Sequence, residues 1–177
     1  MPMSDGRFLF AGVYIDGDFS CSNNQLSSLD GGPSVVNGDF YCSSNKLMDL
    51  SNGPVEVRGN YVCISNKLIS LNGAPRVVNG SFYCGRNYMT SLEGGPQDVG
   101  GDYSCGHSAL ASLKGAPKII YADFMCNNGE LMDLHGCPKE VYGNFYAMGN
   151  PGNFTVDDVK KFCKVRGKIY VDDQKDV

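Results

Sequence analysis

Apolar and polar positions along this chain follow a register of 21 residues. Cysteine stands at 21, 42, 63, 84, 105 and 126, with Ala147 at the seventh place. An aromatic precedes each by two residues: Phe19, Phe40, Tyr61, Phe82, Tyr103, Phe124 and Phe145. Five residues after the cysteines come Leu26, Leu47, Leu68, Met89, Leu110 and Leu131, and eight after come Leu29, Leu50, Leu71, Leu92, Leu113 and Leu134. Prolines follow at twelve (Pro33, Pro54, Pro75, Pro96, Pro117, Pro138), and β-branched residues at fifteen (Val36, Val57, Val78, Val99, Ile120, Val141). Six copies in frame, without an insertion, define a repeat protein.

Alternation gives the content of one repeat. Phe40 and Cys42 are separated by one residue, so in an extended segment they point to the same side. Asn45 turns the chain, Leu47 and Leu50 return apolar groups inward, and glycines near Gly31 and Gly38, with Pro33 between, supply corners. One such coil cannot bury its own apolar side, whereas stacked coils share a continuous core. The expected fold is a mainly β solenoid with one short parallel strand per repeat, seven coils spanning roughly 30–35 Å at about 4.8 Å per coil. The chain divides into an N-terminal lid at 1–12, a solenoid at 13–150 and a C-terminal cap at 151–177, all within one structural domain.

The cap is read from "NPGNFTVDDVKKFCKVRGKIYV", which leaves the period. Thr155 suits an N-cap with Asp158 at the third helical position. Val159, Phe162, Cys163 and Val165 form an inward stripe and Gly167 a stop, predicting a helix over about 156–165. Ile169 and Val171 then alternate like an earlier strand, over about 168–171. Atypical terminal repeats shield the open end of a stack. At the other end "RFLFAGVYI" is expected to supply a shorter lid.

The cysteines Cys21, Cys42, Cys63, Cys84, Cys105 and Cys126 form a ladder, one per coil, which is not tetrahedral metal spacing. They are expected to be small, reduced core residues, and Cys137 and Cys163, outside the ladder, to be structural. No metal and no cofactor are expected. Asn24, Asn45, Asn66 and Asn87 form a second ladder, able to satisfy turn backbone groups of their own and the adjacent coil. Ser108 and Gly129 break it, so the stack is expected to be least regular around residues 106–129.

Composition narrows the function. The net charge is -4 with no block of like charges, which excludes the basic stripe of a nucleic-acid binder. The apolar run at residues 8–15 is too short for a bilayer span and lacks a secretory n-region, so a cytoplasmic protein without membrane contact is expected. No nucleophilic triad, phosphate loop or paired carboxylates emerge, and His107 and His135 occupy variable positions; no enzyme is expected.

Function is therefore sought on the variable outward positions. The residue between aromatic and cysteine points outward: Ser20, Tyr41, Val62, Tyr83, Ser104, Met125 and Tyr146, continued by Tyr170 in the cap. With Ile64 these form an apolar and aromatic patch bordered by Asp39, Asp102 and Asp123. Tyrosine and methionine in such a patch are typical of interface cores. The candidate partner-binding residues are thus Tyr41, Val62, Ile64, Tyr83, Met125, Tyr146, Tyr170, Asp39, Asp102 and Asp123.

The wording "FxCxxNxLxxL" followed by a proline resembles the leucine-rich repeat, and "GDFYCSSNKL…GGP" at this length is most similar to the short leucine-rich repeats of tailed-bacteriophage proteins. The resemblance covers roughly residues 13–150, and phage proteins similar to this one carry a like-worded tail. It implies a right-handed leucine-rich-repeat coil. It also implies a phage-encoded binder or inhibitor of a host protein, with an anti-defence role, acting in the host cytoplasm. A structural or assembly protein that self-associates into a homo-oligomer is the alternative.

Overall fold

The computed structural model describes residues 12–172 and shows a parallel β-solenoid of about seven turns. The strand expected at each aromatic is present, and a second short strand precedes it in the same coil. The first coils contribute β1 (Tyr14–Ile15) and β2 (Phe19–Ser20), β3 (Val35–Val36) and β4 (Phe40–Tyr41), β5 (Glu56–Val57) and β6 (Tyr61–Val62), then β7 (Val77–Val78) and β8 (Phe82–Tyr83). The later coils contribute β9 (Asp98–Val99) and β10 (Tyr103–Ser104), β11 (Ile119–Ile120) and β12 (Phe124–Met125), then β13 (Glu140–Val141) and β14 (Phe145–Tyr146). Helix α1 (Val156–Phe162) precedes the last pair, β15 (Lys164–Val165) and β16 (Ile169–Tyr170). The proline-following "VV" segment thus forms a strand of its own, and the chain bends at Asn37 and Gly38 before the aromatic strand begins.

All pairings are parallel and one repeat apart, as in Phe40↔Tyr61 and Tyr61↔Phe82. The even-numbered strands make one unbroken eight-stranded sheet from β2 to β16. The odd-numbered strands make two sheets, β1-β3-β5-β7-β9 and β11-β13-β15. Gly100 N–H donates to Val78 O (3.0 Å) and Tyr142 N–H to Ile120 O (2.9 Å), but Tyr121 N–H has no such bond to Val99. This second sheet therefore breaks between the coils of Val99 and Ile120, at the edge of residues 106–129 where the least regular stacking is expected.

The core is the sum of the periodic positions. Phe40, Tyr61, Phe82, Tyr103, Phe124 and Phe145 are fully buried, and their rings follow one another at centroid distances of 4.9–5.9 Å. All eight cysteines are free and buried. Between strand and leucine return, each coil turns through a left-handed residue just before the asparagine position, such as Ser44 (φ 56°) and Ser65 (φ 58°). That tight reversal exposes backbone groups which a side chain must satisfy.

The cap differs in detail from its expectation. Thr155 caps α1, accepting from Asp158 N–H while the Asp158 carboxylate accepts from Thr155 N–H at 3.1 Å. The helix ends at Phe162 instead of near 165, because Cys163 is already extended (φ -135°) and its successors pair with the last coil. Lys164 N–H donates to Lys139 O and Arg166 N–H to Val141 O, each at 2.9 Å. Gly167 lies between β15 and β16, after the chain has rejoined the solenoid, and is not the helix stop. Residues 1–11 of the expected N-terminal lid lie outside the described residues.

Candidate functional site

The eight-stranded sheet presents the outward row. Phe40 is buried and Tyr41 half-buried, and the same alternation holds for Tyr61–Val62, Phe82–Tyr83, Phe124–Met125 and Phe145–Tyr146. Ile64, two residues beyond Val62 on the same side, is likewise half-buried. Tyr41, Val62 and Tyr83 lie in consecutive paired strands, so they form one continuous surface. Tyr146 and Tyr170 stack face to face at 4.6 Å with 3° between their rings.

The bordering acids are engaged with the stack. Asp18 Oδ1 accepts the N–H of Asp39 (2.8 Å), Asp39 Oδ1 that of Asn60 (2.7 Å), and Asn60 Oδ1 that of Ser81 (2.8 Å). Ser81 Oγ, Asp102 Oδ1, Asp123 Oδ1 and Asn144 Oδ1 continue the series onto Asp102, Asp123, Asn144 and Lys168 at 2.7–3.0 Å. This is a third ladder, which sequence reasoning missed; only short acceptor side chains occupy the position three before each cysteine, and that restriction was its signal. Two of these carboxylates also fix tyrosines. Tyr41 Oη donates to Asp39 Oδ2 at 2.6 Å and Tyr83 Oη to Asp102 Oδ2 at 3.1 Å. The bond from Tyr41 holds the Asp39 carboxyl below its ordinary range, helped by the Asn60 N–H, and raises the Tyr41 hydroxyl.

The asparagines clamp neighbouring turns. Asn66 Oδ1 accepts from Asn45 N–H (3.2 Å) and Leu47 N–H (3.2 Å), while its Nδ2 donates to Cys42 O (3.0 Å) and Cys63 O (3.2 Å). Asn45 and Asn87 repeat the pattern, and among the described residues the Asn24 side chain donates only within its own turn. Ser108 Oγ replaces the amide with a longer 3.4 Å bond from Asn87 N–H, and Asn150 restores the clamp on Gly129 and Leu131. Asn150 stands in period with Asn87 and could have been found from the spacing alone.

Burial makes the ladder thiols poor nucleophiles. Desolvation pushes Cys21 up to about 12 and raises Cys42, Cys63, Cys84, Cys105 and Cys126 as well. Cys137 and Cys163, separate in the sequence, are brought together: the Cys163 thiol hydrogen-bonds Cys137, lowering Cys137 and raising Cys163. His107 occupies a left-handed turn position, and His135 packs edge-on against Phe162. Among the described residues no helix is long and apolar enough to cross a membrane.

A second apolar surface was not anticipated. Met48, Ile69 and Tyr88, from consecutive coils, are 54 %, 58 % and 62 % exposed, more open than the half-buried tyrosines of the strand face. They stand four or six residues after a cysteine, just outside the buried leucine positions. Compared with known proteins, the chain matches no protein family, no curated protein and no solved structure.

Proposed function

We propose that this solenoid is a non-enzymatic protein-binding module whose even-strand face docks a partner protein. The observation that carries the reading is the fixed tyrosine row: Tyr41 and Tyr83 flank Val62 across three paired strands, and each hydroxyl is held by a carboxylate of the stack. Rings held in place before binding lose little freedom on docking, which is what an aromatic interface anchor requires. Ile64, Met125 and the stacked Tyr146–Tyr170 pair extend the face, with Asp39, Asp102 and Asp123 at its border. The likeness of the repeat wording to phage leucine-rich repeats supports a phage-encoded inhibitor of a host protein, with an anti-defence role, in the host cytoplasm. The test is the Tyr41→Asp/Tyr83→Asp double variant in affinity capture from host lysate with mass spectrometry. Loss of a specific partner while the fold is retained supports the reading; unchanged capture removes it.

Self-association is the second reading, favoured by the exposed apolar side chains of Met48, Ile69 and Tyr88 in consecutive coils. A light-scattering concentration series that yields a defined homo-oligomer, abolished by Ile69→Lys, would support it over the first.

A further inference from the structure

The gap in the second sheet is flanked by an incomplete side-chain row. The residue immediately after each odd-numbered strand is, in successive coils, Asp16, Asn37, Arg58, Asn79, Gly100, Tyr121, Tyr142 and Arg166. The rings of Tyr121 and Tyr142 lie 5.8 Å apart, and the Arg166 guanidinium sits 4.0 Å above the Tyr142 ring. Arg166 closes one end of this stack; at the other, the outer face of Tyr121 looks toward Gly100. There a notch of about 270 Å³ opens, lined by Val77, Asn79, Asp98, Gly100 and Tyr121. The chain cannot fill it from within, because a Cβ on Gly100 would meet the carbonyl oxygen of Asn79 at 2.1 Å.

The rest of the row shows what chemistry the notch accepts. Arginine occurs twice in it, and both times pairs with an acid two places earlier in the repeat. Arg58 Nε lies 2.7 Å from Glu56 of its own coil. Arg166 bonds Glu140 of the preceding coil at 2.8 Å while stacking on Tyr142. At the notch the acid and the aromatic are both present and the arginine is missing. Asp98 stands where Glu56 stands relative to Arg58, is exposed, and makes no ion pair among the described residues. Tyr121 stands next to the empty place as Tyr142 stands next to Arg166.

We propose that this notch is a docking slot for an arginine side chain of a partner protein. The guanidinium stacks on the free face of Tyr121 and takes the Asp98 carboxylate as its ion-pair partner, completing the row in trans. Planarity is needed for the stack and a fork of donors for the carboxylate, which selects arginine over lysine. Arg76 and Lys118 line the adjoining cleft of about 330 Å³, which shares Asp98 and Tyr121 with the notch. They make an acid the favoured neighbour of the docked arginine. The slot lies on the odd-strand sheet, so it does not depend on the tyrosine row of the other sheet.

The test is an amide NMR titration of the full chain with the capped dipeptide acetyl-Arg-Asp-amide, against acetyl-Lys-Asp-amide. Saturable shifts at Asp98, Gly100 and Tyr121 are expected with the arginine peptide. The lysine peptide is expected to bind about fivefold more weakly, and Asp98→Asn to weaken the arginine peptide by about the same factor. Tyr121→Phe, which keeps the ring, should retain binding where Tyr121→Leu loses it, and Tyr41→Asp/Tyr83→Asp should leave it unchanged. No saturable shift, shifts only elsewhere, or equal binding of the lysine peptide would overturn the proposal.

Discussion

Asp39 and Asn60 are joined twice across one coil: Oδ1 of Asp39 accepts the Asn60 N–H at 2.7 Å and Oδ2 accepts its side-chain amide at 3.1 Å. The same carboxylate receives the Tyr41 hydroxyl, so one surface acid holds both the stack and an interface ring. Asp39→Ala is expected to cost about 1–2 kcal/mol, since it leaves a strand-edge N–H and a hydroxyl without their charged acceptor. Denaturant unfolding measures it, and Asp39→Asn should recover part of the loss. The Asp39 carboxyl is held below its ordinary range by the Tyr41 hydroxyl, so its folded pKa lies below its unfolded one. Its contribution is therefore complete above about pH 4 and is lost as pH falls through the lower folded value.

Asn66 carries a heavier share, because its bonds are buried. Asn66→Ala strands Asn45 N–H and Leu47 N–H inside the stack and takes one of two amide donors from each of the Cys42 and Cys63 carbonyls, which keep those of Asn45 and Asn87. We expect a loss of about 3 kcal/mol from two buried N–H groups left unpaired together. Asn24→Ala, at a half-buried turn whose side-chain amide donates, among the described residues, to Cys21 O and Ser22 O alone, should cost well under half as much. Equal effects at the two positions would contradict a ladder that gains its strength from sharing between coils.

The cap helix responds to acid. Asp158 is held at about 2, first by the Lys161 ammonium and then by the Thr155 hydroxyl and N–H. A carboxyl depressed in the folded state stabilises above its unfolded pKa, so the capping box weakens between about pH 4 and pH 2. Helix amides of residues 156–162 should then exchange faster over that window while coil amides at residues 61–63 do not. Thr155→Ala should reproduce the loosening at neutral pH, at a cost of about 1 kcal/mol.

Thiol chemistry reports on the stack directly. The ladder cysteines are raised by burial, so at pH 8 N-ethylmaleimide should leave them unmodified in the native protein. All eight cysteines should react after denaturation, read as added mass. Cys137 is the exception in direction, lowered by its bond from Cys163, and, being the least buried of the eight, should be the first modified in the native protein. Native modification of Cys63 or Cys84 ahead of Cys137 would be inconsistent with a closed core.

The period was legible because every member of a buried row must face the same neighbours. Phe40, Cys42, Leu47 and Leu50 could be placed inside from spacing alone, and their burial follows. The strand at Val35–Val36 was not legible: a two-residue strand carries no alternation to read, only one buried valine beside a half-buried one. The role of Asp39 was also hidden, since an acid that accepts a backbone N–H from the next coil looks, in one dimension, like a surface charge. The gap beside Gly100 depends on backbone bonds that are absent, which no composition records. Helix α1 was overextended because Cys163 and Val165 suit both a helical stripe and a strand, and pairing with β13 decided between them.

One pairing of residue types crosses coils and had no place in a reading made coil by coil. Tyr61 faces Gly53, and Tyr103 faces Gly95: an added Cβ would meet Leu29 Cδ1 at 2.9 Å and the Tyr61 hydroxyl at 3.3 Å in the first case, and Leu71 Cδ1 at 2.8 Å and the Tyr103 hydroxyl at 3.2 Å in the second. Where the buried ring is Phe82, Phe124 or Phe145, the corresponding residue of the previous coil is Ala74, Ala116 or Cys137. In those three coils a Cβ takes the place beside which the tyrosine oxygen lies, whereas Phe40 is matched by Gly32. The Tyr103 hydroxyl is also buried without a hydrogen-bond partner, a state that costs free energy. Tyr103→Phe is thus expected to stabilise by about 1 kcal/mol, and Gly95→Ala alone to destabilise by a similar amount or more through overpacking. Combined, they should recreate the Ala116–Phe124 arrangement already present one coil on, with the alanine's cost reduced by about 1–2 kcal/mol relative to the sum. A double-mutant cycle in urea measures that coupling. Strict additivity would show that the hydroxyl and the missing Cβ do not share the space.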